Sequence, residues 1–500
     1  MIPTLKHDDI VFMYPSSDPG AYAKYGATVV ACAGSPSYND ARRFEALHIH
    51  AAASMDCLLI SSVDMRANPS LVEASIRDID NNPVAIDESG NGAPNDTLRF
   101  IGCGNHPVFR AYLRKKVCEA MAGNPDGLHM SNHLGGIGIF LARGGCFCDY
   151  CLRAFWERCK TTRPAGPLSS AAENAFDAKD FRRVMKSNSA GPARAGAAGE
   201  RTVALTEYID FQLSRAAENL SQLHRIARDI VDRPITLSIS ADLTQVEHYI
   251  ASTGCAYVTG ELPHYPSQGV RGCGAAIRAY RIAEALGRPL AATAAPQDWA
   301  YIKENNRTQL VHLWIALAYA CGQRFMVPHR TRCFTKEKGM EWYCGSPADY
   351  APVYAFVRKN PSLFNGYRIA GPLRTPEKVP VSLDTHEARR ALLDAIDNGN
   401  PQPMVAGDHA WVFPRTRSDG LNLAHVLTTA YDEKTGRIEK QHAVSVTLPE
   451  GLFMRNFSHA TVHAFDAEPI TIPVHCSSGM MSMVLPELSL WSIVSFEYWL

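Results

Sequence analysis

The chain lacks most of the features that place a protein at first sight. Its 500 residues carry 50 basic and 50 acidic side chains, so no net charge steers it toward nucleic acid or an anionic membrane. No apolar run approaches the ~18 residues that a membrane span needs. The opening stretch, MIPTLKHDDIVFMYPSSD, has no apolar core behind a basic start, so no secretory signal is expected. P-loop, HExxH and GxSxG motifs are absent, which removes the usual nucleotide, zinc-protease and serine-hydrolase readings. No repeat of roughly 20–50 residues recurs, which argues against a solenoid or propeller. The remainder is an ordinary globular composition, 46% hydrophobic, with 14 cysteines. A cytoplasmic location is expected, where most thiols are buried and a tight cluster points to metal rather than disulfide.

What is present is a rhythm. Short apolar runs alternate with helical stretches over the first ~330 residues. The runs are 9–15, 27–34, 56–64, 126–132, 235–240, 255–262, 289–296 and 323–329. Near-continuous apolar strands separated by helices imply a parallel sheet covered on both faces. Eight of them predict an α/β fold, a (β/α)8 TIM barrel, with its site on the loops after the strands. Residues 161–200, rich in Ala, Ser, Gly and Pro, read as a loop inserted after strand 4. Beyond about 370 the pattern becomes short strands and turns, apart from one helix at 385–397. The expected organisation is a barrel over 1–370 and an all-β, sandwich-like domain over 371–500.

One motif stands out. Cys146-Phe-Cys148-Asp-Tyr-Cys151 places three thiols within six residues. Thiolates are the ligands of structural zinc, and a closed tetrahedral shell needs four. Cys103, opening the helix before strand 4, is the candidate fourth, and Cys159 is its rival. Four thiolates leave no open position, so such zinc is expected to be structural.

The segments CGNHPVFRAYL, LHMSNHLGG and CFCDYCLRAF resemble the barrel β-galactosidases of glycoside hydrolase family 42. That resemblance implies a four-cysteine zinc cluster on this part of a barrel. It also implies an Asn-Glu pair ending strand 4 and a Glu ending strand 7. Here Asn132 matches the Asn, but His133 stands where the Glu would be, and Ala294-Ala295-Pro296-Gln297 ends strand 7. Both catalytic carboxylates of the family are therefore missing from their places, which makes this chain at most a distant relative.

Cleaving a glycosidic bond generally needs two carboxyl groups. Glu261, ending strand 6, is the leading candidate, against a bland role in pairing Arg271. Asp64, Asp242 and Asp298 follow strands 3, 5 and 7. Each has a structural alternative: pairing Arg66 for the first, and capping the next helix for the other two. Asn132 and His133 are expected to face the site, with His133 a possible proton carrier. A sugar pocket calls for aromatic faces and polar side chains. Tyr14, Tyr38, His264, Tyr265, Trp299, His329, Arg330 and Trp342 lie at or after strand ends and suit that use. The expected function is hydrolysis of an oligosaccharide or glycoside. The alternatives are a non-catalytic carbohydrate-binding barrel and a metal-dependent hydrolase built on His129 and His133. The expected partner is a carbohydrate, without nucleic acid or membrane, and a homo-oligomer stays open.

Overall fold

The computed structural model describes residues 4–87, 98–134, 146–162, 175–188, 203–370, 382–398, 403–453 and 457–496. Eight strands form one sheet in chain order, every pairing parallel. They are β1 (Val11–Phe12), β2 (Val29–Val30), β3 (His50–Asp56), β4 (Gly127–Ser131), β5 (Thr236–Ser240), β6 (Tyr257–Leu262), β7 (Leu290–Ala294) and β8 (Arg324–Phe325). The Val327 amide donates to the Val11 carbonyl at 2.8 Å and brings the last strand back to the first. The sheet is a nearly closed barrel, as the strand rhythm predicts.

The expectation for strand 3 is wrong. The run 56–64 is not the barrel strand; it crosses a two-residue edge strand, Leu59–Ile60, and enters the helix Ser62–Ala67. The barrel strand is the preceding HAAASMD, whose alanines give little β signal. Small residues suit this place because β3 and β4 approach closely. A Cβ added at Gly127 would sit 2.9 Å from the Thr236 carbonyl and 3.3 Å from the Ala52 Cβ. Between β3 and the helix Pro107–Met121 the chain adds a small antiparallel sheet of Leu59–Ile60, Leu98–Ile101 and Ala85–Asp87.

The expected insertion at 161–200 is only partly a loop. Within its described part, Ala178–Asn188 is a helix, with the Asp180 amide bonded to the Asp177 carboxylate at 2.7 Å. Within that stretch 163–174 and 189–200 lie outside the described residues, and 161–162 end the helix Asp149–Thr162. A 29-residue helix, Val203–Val231, then leads into β5.

After β8 an antiparallel hairpin, β9 (His329–Thr335) and β10 (Gly339–Cys344), rises from the barrel end. The tail is antiparallel throughout. One sheet runs through Arg368–Ile369, Ala410–Thr416, Asn422–Thr428, Trp491–Phe496, His459–Ala464 and Ile470–Pro473. A second pairs Gln441–Pro449, Met480–Leu488 and His475–Ser477. Val412, Val426, Val446, Leu448, Met483 and Leu485 fill the layer between them. Phe413, Leu427, Trp491 and Ile493 on the first sheet pack instead with the barrel helices. Both faces of Asn422–Thr428 are covered, which is why that strand is buried along its whole length. Arg368–Ile369 already belongs to this sheet, whereas 371–381, where the expected boundary falls, lies outside the described residues. No described helix is long and apolar enough to cross a membrane.

Candidate active site at the barrel mouth

Side chains alternate between the two faces of a strand. On β6, Tyr257, Thr259 and Glu261 share the inward face, and Tyr257 lies in the apolar cluster that fills the barrel with Val11, Val29, Ala291 and Met326. Above that plug is a polar layer. His129 on β4 bonds Ser238 Oγ through Nδ1 and Ser240 Oγ through Nε2, both at 2.9 Å. Burial pushes its pKa down to about 4, so it is neutral at pH 7 and committed to the barrel interior. Glu261 stands one step higher, at the open C-terminal end.

Glu261 differs from the other candidate carboxyls. It is exposed and makes no hydrogen bond or ion pair among the described residues. Arg271 does not pair with it; Arg271 reaches Glu433 at 3.2 Å. The surrounding barrel wall raises the Glu261 pKa above the ordinary glutamate value, and Arg332 pulls it back. Asp298 is buried and accepts the His264 amide at 2.7 Å, which fixes the loop after β6. Burial, the larger effect, raises its pKa, and that hydrogen bond opposes it. Asp242 accepts Thr244 N and Thr244 Oγ1 at 3.0 and 2.6 Å, and Gln245 Nε2 at 2.9 Å. That is a turn-capping carboxylate. Asp64 lies on the Ser62–Ala67 helix, not at a strand end. It accepts from Ser61 and Tyr112 and pairs with Lys116 at 3.5 Å, facing the helix Pro107–Met121.

The carboxylate that does end strand 3 is Asp56, which the misplaced strand concealed. Its Oδ1 accepts the Leu58 and Leu59 amides at 2.7 and 2.8 Å, and its Oδ2 accepts the Asn132 side-chain amide at 2.6 Å. The signal in the sequence was an Asp closing an alanine-rich run.

The end of β4 splits in two directions. Asn132 is exposed, with φ at 52°, a left-handed conformation that asparagine tolerates better than most residues. The turn sends His133 behind the strand rather than into the mouth. His133 is 5% exposed, lines a cavity with Cys57, Cys103 and Cys146, and lies 5.6 Å ring to ring from His248. Burial first, then His248, hold its pKa well below the usual histidine value. A proton carrier at the mouth is therefore not its place.

Of the expected sugar contacts, His264 and Trp299 are fully buried and present no face to solvent. His264 Nδ1 bonds the Leu262 carbonyl at 2.9 Å, and Trp299 Nε1 donates to Thr293 Oγ1 at 3.0 Å. Tyr265, with φ at 46°, is 48% exposed. Tyr14, His329, Arg330 and Trp342 gather where β1 meets the hairpin. Trp342 is 47% exposed and meets the Tyr14 ring edge-on at 5.5 Å. Arg330, with φ at 55°, donates to the Pro15 carbonyl at 2.8 Å and lies 5.2 Å over the Trp342 ring. His329 Nε2 bonds Ser16 Oγ at 2.8 Å. Three strand-end residues with positive φ, Asn132, Tyr265 and Arg330, ring this opening. Such strain persists where surrounding structure enforces it, and it collects at functional sites.

The cysteines form a separate centre. The four Sγ atoms of Cys103, Cys146, Cys148 and Cys151 lie within 4.8 Å of one another, all buried. Cys103 Sγ is 3.5 Å from Cys148 and 3.4 Å from Cys151. A tetrahedral zinc with ~2.3 Å bonds sets its sulfurs ~3.8 Å apart, so this donor set fits. Cys159, the rival, is buried two turns further along the helix that carries Cys151, outside the group. Second contacts hold the cluster: Asn105 Nδ2 donates to Cys151 Sγ at 3.2 Å, and the Tyr208 hydroxyl to the Cys146 carbonyl at 2.5 Å.

No protein-family model matches the chain, and no curated protein matches it in sequence. Solved structures do match in shape. α-L-Fucosidase isoenzyme 2 from Paenibacillus thiaminolyticus superposes with a TM-score of 0.57 at 9% identity, covering 99% of this chain and 100% of that one. A noncanonic maltogenic α-amylase, AmyB, from Thermotoga neapolitana gives 0.50 at 11% identity, with 99% of each chain covered. At such identities the likeness is one of fold: a TIM barrel followed by antiparallel sheets.

Proposed function

We propose that this protein hydrolyses a glycosidic bond of an oligosaccharide or glycoside at the C-terminal mouth of the barrel. One observation carries the reading: Glu261 is an unpaired, solvent-facing carboxyl on the inward face of a barrel strand, beside an aromatic wall. Its raised pKa keeps more of it protonated than an ordinary glutamate, which suits a general acid for the leaving oxygen. Asp56 is the natural second group. Three donors fix its orientation, and it sits three strands away on the same rim. A carboxyl in a protein wall set against one in a polar, hydrogen-bonded setting divides the acid role from that of nucleophile or base. Trp342 and Tyr14 supply the faces on which a sugar ring would pack.

In this reading the four thiols hold structural zinc. A closed shell would supply no chemistry; it would tie the start of the Pro107–Met121 helix to the chain after β4. The order of those cysteines is also what supports a remote kinship with family 42, whose catalytic machinery is not in place here. The test is release of aryl alcohol from a panel of aryl glycosides. Wild type is expected to turn over at least one, and Glu261→Gln to do so at least ~10²-fold more slowly at the same folded concentration. Equal rates in the two proteins would remove Glu261 from the mechanism.

A second reading has its own support. Asp56, Asp242 and Asp298 are each engaged by neighbouring donors, which leaves Glu261 as the one free carboxyl among the described strand-end candidates and favours a barrel that binds sugar without cleaving it. Sugar binding with no turnover on any glycoside would select it.

A further inference from the structure

The mouth carries two guanidinium groups whose positive charge has no partner. Arg330 and Arg332 both lie on β9, and no carboxylate is within ion-pairing distance of either among the described residues. Arg330 is half-buried and held by the Pro15 carbonyl and the Trp342 face. Arg332 is exposed and pairs across the hairpin with Trp342, on its outer face. It lies 6.0 Å over the Tyr14 ring at the end of β1, and its charge is felt by Cys32 after β2 and by Glu261 on β6. One guanidinium therefore stands over the end of β1 and acts electrostatically on groups of β2 and β6.

A neutral sugar does not require this. Hydroxyl groups are well served by uncharged donors, and an arginine beside the Glu261 carboxyl opposes the protonation that a general acid needs. An arginine fork does match a carboxylate or sulfate oxygen pair. We infer that the barrel takes an anionic sugar, a ring bearing a carboxylate or a sulfate, with Arg332 as the anion clamp, Arg330 behind it and Trp342 beneath the ring. This deepens the glycosidase reading but its test is binding, so the two can fail separately.

Titration calorimetry with methyl glucuronide, methyl galacturonide, glucose 6-sulfate and their neutral counterparts reads it out. The uronides or the sulfated sugar are expected to bind at least ~10-fold tighter than the neutral sugars, and which of the two does so separates a carboxylate from a sulfate ligand. Arg332→Ala should abolish that preference at an unchanged melting temperature. Arg332→Lys, which keeps charge but loses the fork, should recover only part of it. Lys338→Ala, a surface cation paired with Glu304 at the far end of the hairpin, should leave it intact. No binding by the anionic sugars, equal binding of neutral and anionic sugars, or a preference that survives Arg332→Ala would overturn the inference. Anion-selective binding with no turnover of any anionic glycoside would sustain it while removing the glycosidase reading.

Discussion

The chain leaving β4 serves two regions built in opposite ways. On one side, the cysteine corner is closed: four buried thiols, with an amide, a hydroxyl and a long helix packed around them. On the other, the mouth is open: an unpaired glutamate, two unpaired arginines, an exposed tryptophan and backbone strain at Asn132 and Arg330. Stability is invested where the groups are buried and packed, and reactivity where charged groups stand open. The difference separates residues that hold the site from those that would use it, although Asn132 and His133 are neighbours in sequence.

The largest expected effect tests the open side. Glu261→Gln should lower turnover by ~10²–10⁴-fold, the usual worth of a positioned acid or base, measured as kcat on the best aryl glycoside. Its stability should move the other way. The surrounding barrel wall, which limits the hydration of the carboxylate, raises the folded pKa of Glu261 above 4.5, so its charged form weighs against folding once the pH rises through that raised value. Glu261→Gln should therefore melt slightly higher than wild type at pH 7–8 and equally at pH 4; a lower melting point at neutral pH would contradict the assignment.

The closed side should break differently. Cys148→Ser should remove bound zinc, measured by metal analysis, and lower the melting temperature by ~6–12 °C. That corresponds to ~3 kcal/mol at ~2–4 °C per kcal/mol. Relative rates across the glycoside panel should stay the same in the protein that remains folded. A changed specificity would place the cysteines in the site.

Asp298 lies between the two regimes. Asp298→Ala leaves the buried His264 amide without its acceptor, a loss of roughly 1–3 kcal/mol by denaturant titration. Turnover should fall through loosening of the loop after β6, while the pH dependence keeps its shape. The smallest effect is expected at Asp64. Asp64→Asn disturbs the contacts with Ser61, Tyr112 and Lys116, away from the mouth, and activity should be unchanged within error.

Much of this was legible in the sequence. The apolar runs announced seven of the eight barrel strands, and the turn-rich tail announced its antiparallel sheets. Cysteine spacing found three thiols, and the position of Cys103 at a helix start supplied the fourth. Strand 3 was missed because its alanines pack tightly without advertising a strand, while the more hydrophobic run beside it forms an edge strand and a helix. That slip hid Asp56 and promoted Asp64. His264 and Trp299 were misjudged because a residue after a strand end can turn into the core as readily as into the mouth. Sequence position does not reveal which; the Asp298 bond to the His264 amide decides it. Arg332 was missed because its role depends on how the hairpin folds over β1.

The account rests on Glu261 working as an acid at an open mouth, and the pH profile of kcat/KM tests that most directly. The prediction is an alkaline limb in wild type, where activity falls as pH rises through the raised glutamate pKa, that is absent from the residual activity of Glu261→Gln. An identical limb in both proteins, or turnover of no glycoside by wild type at any pH, would contradict it.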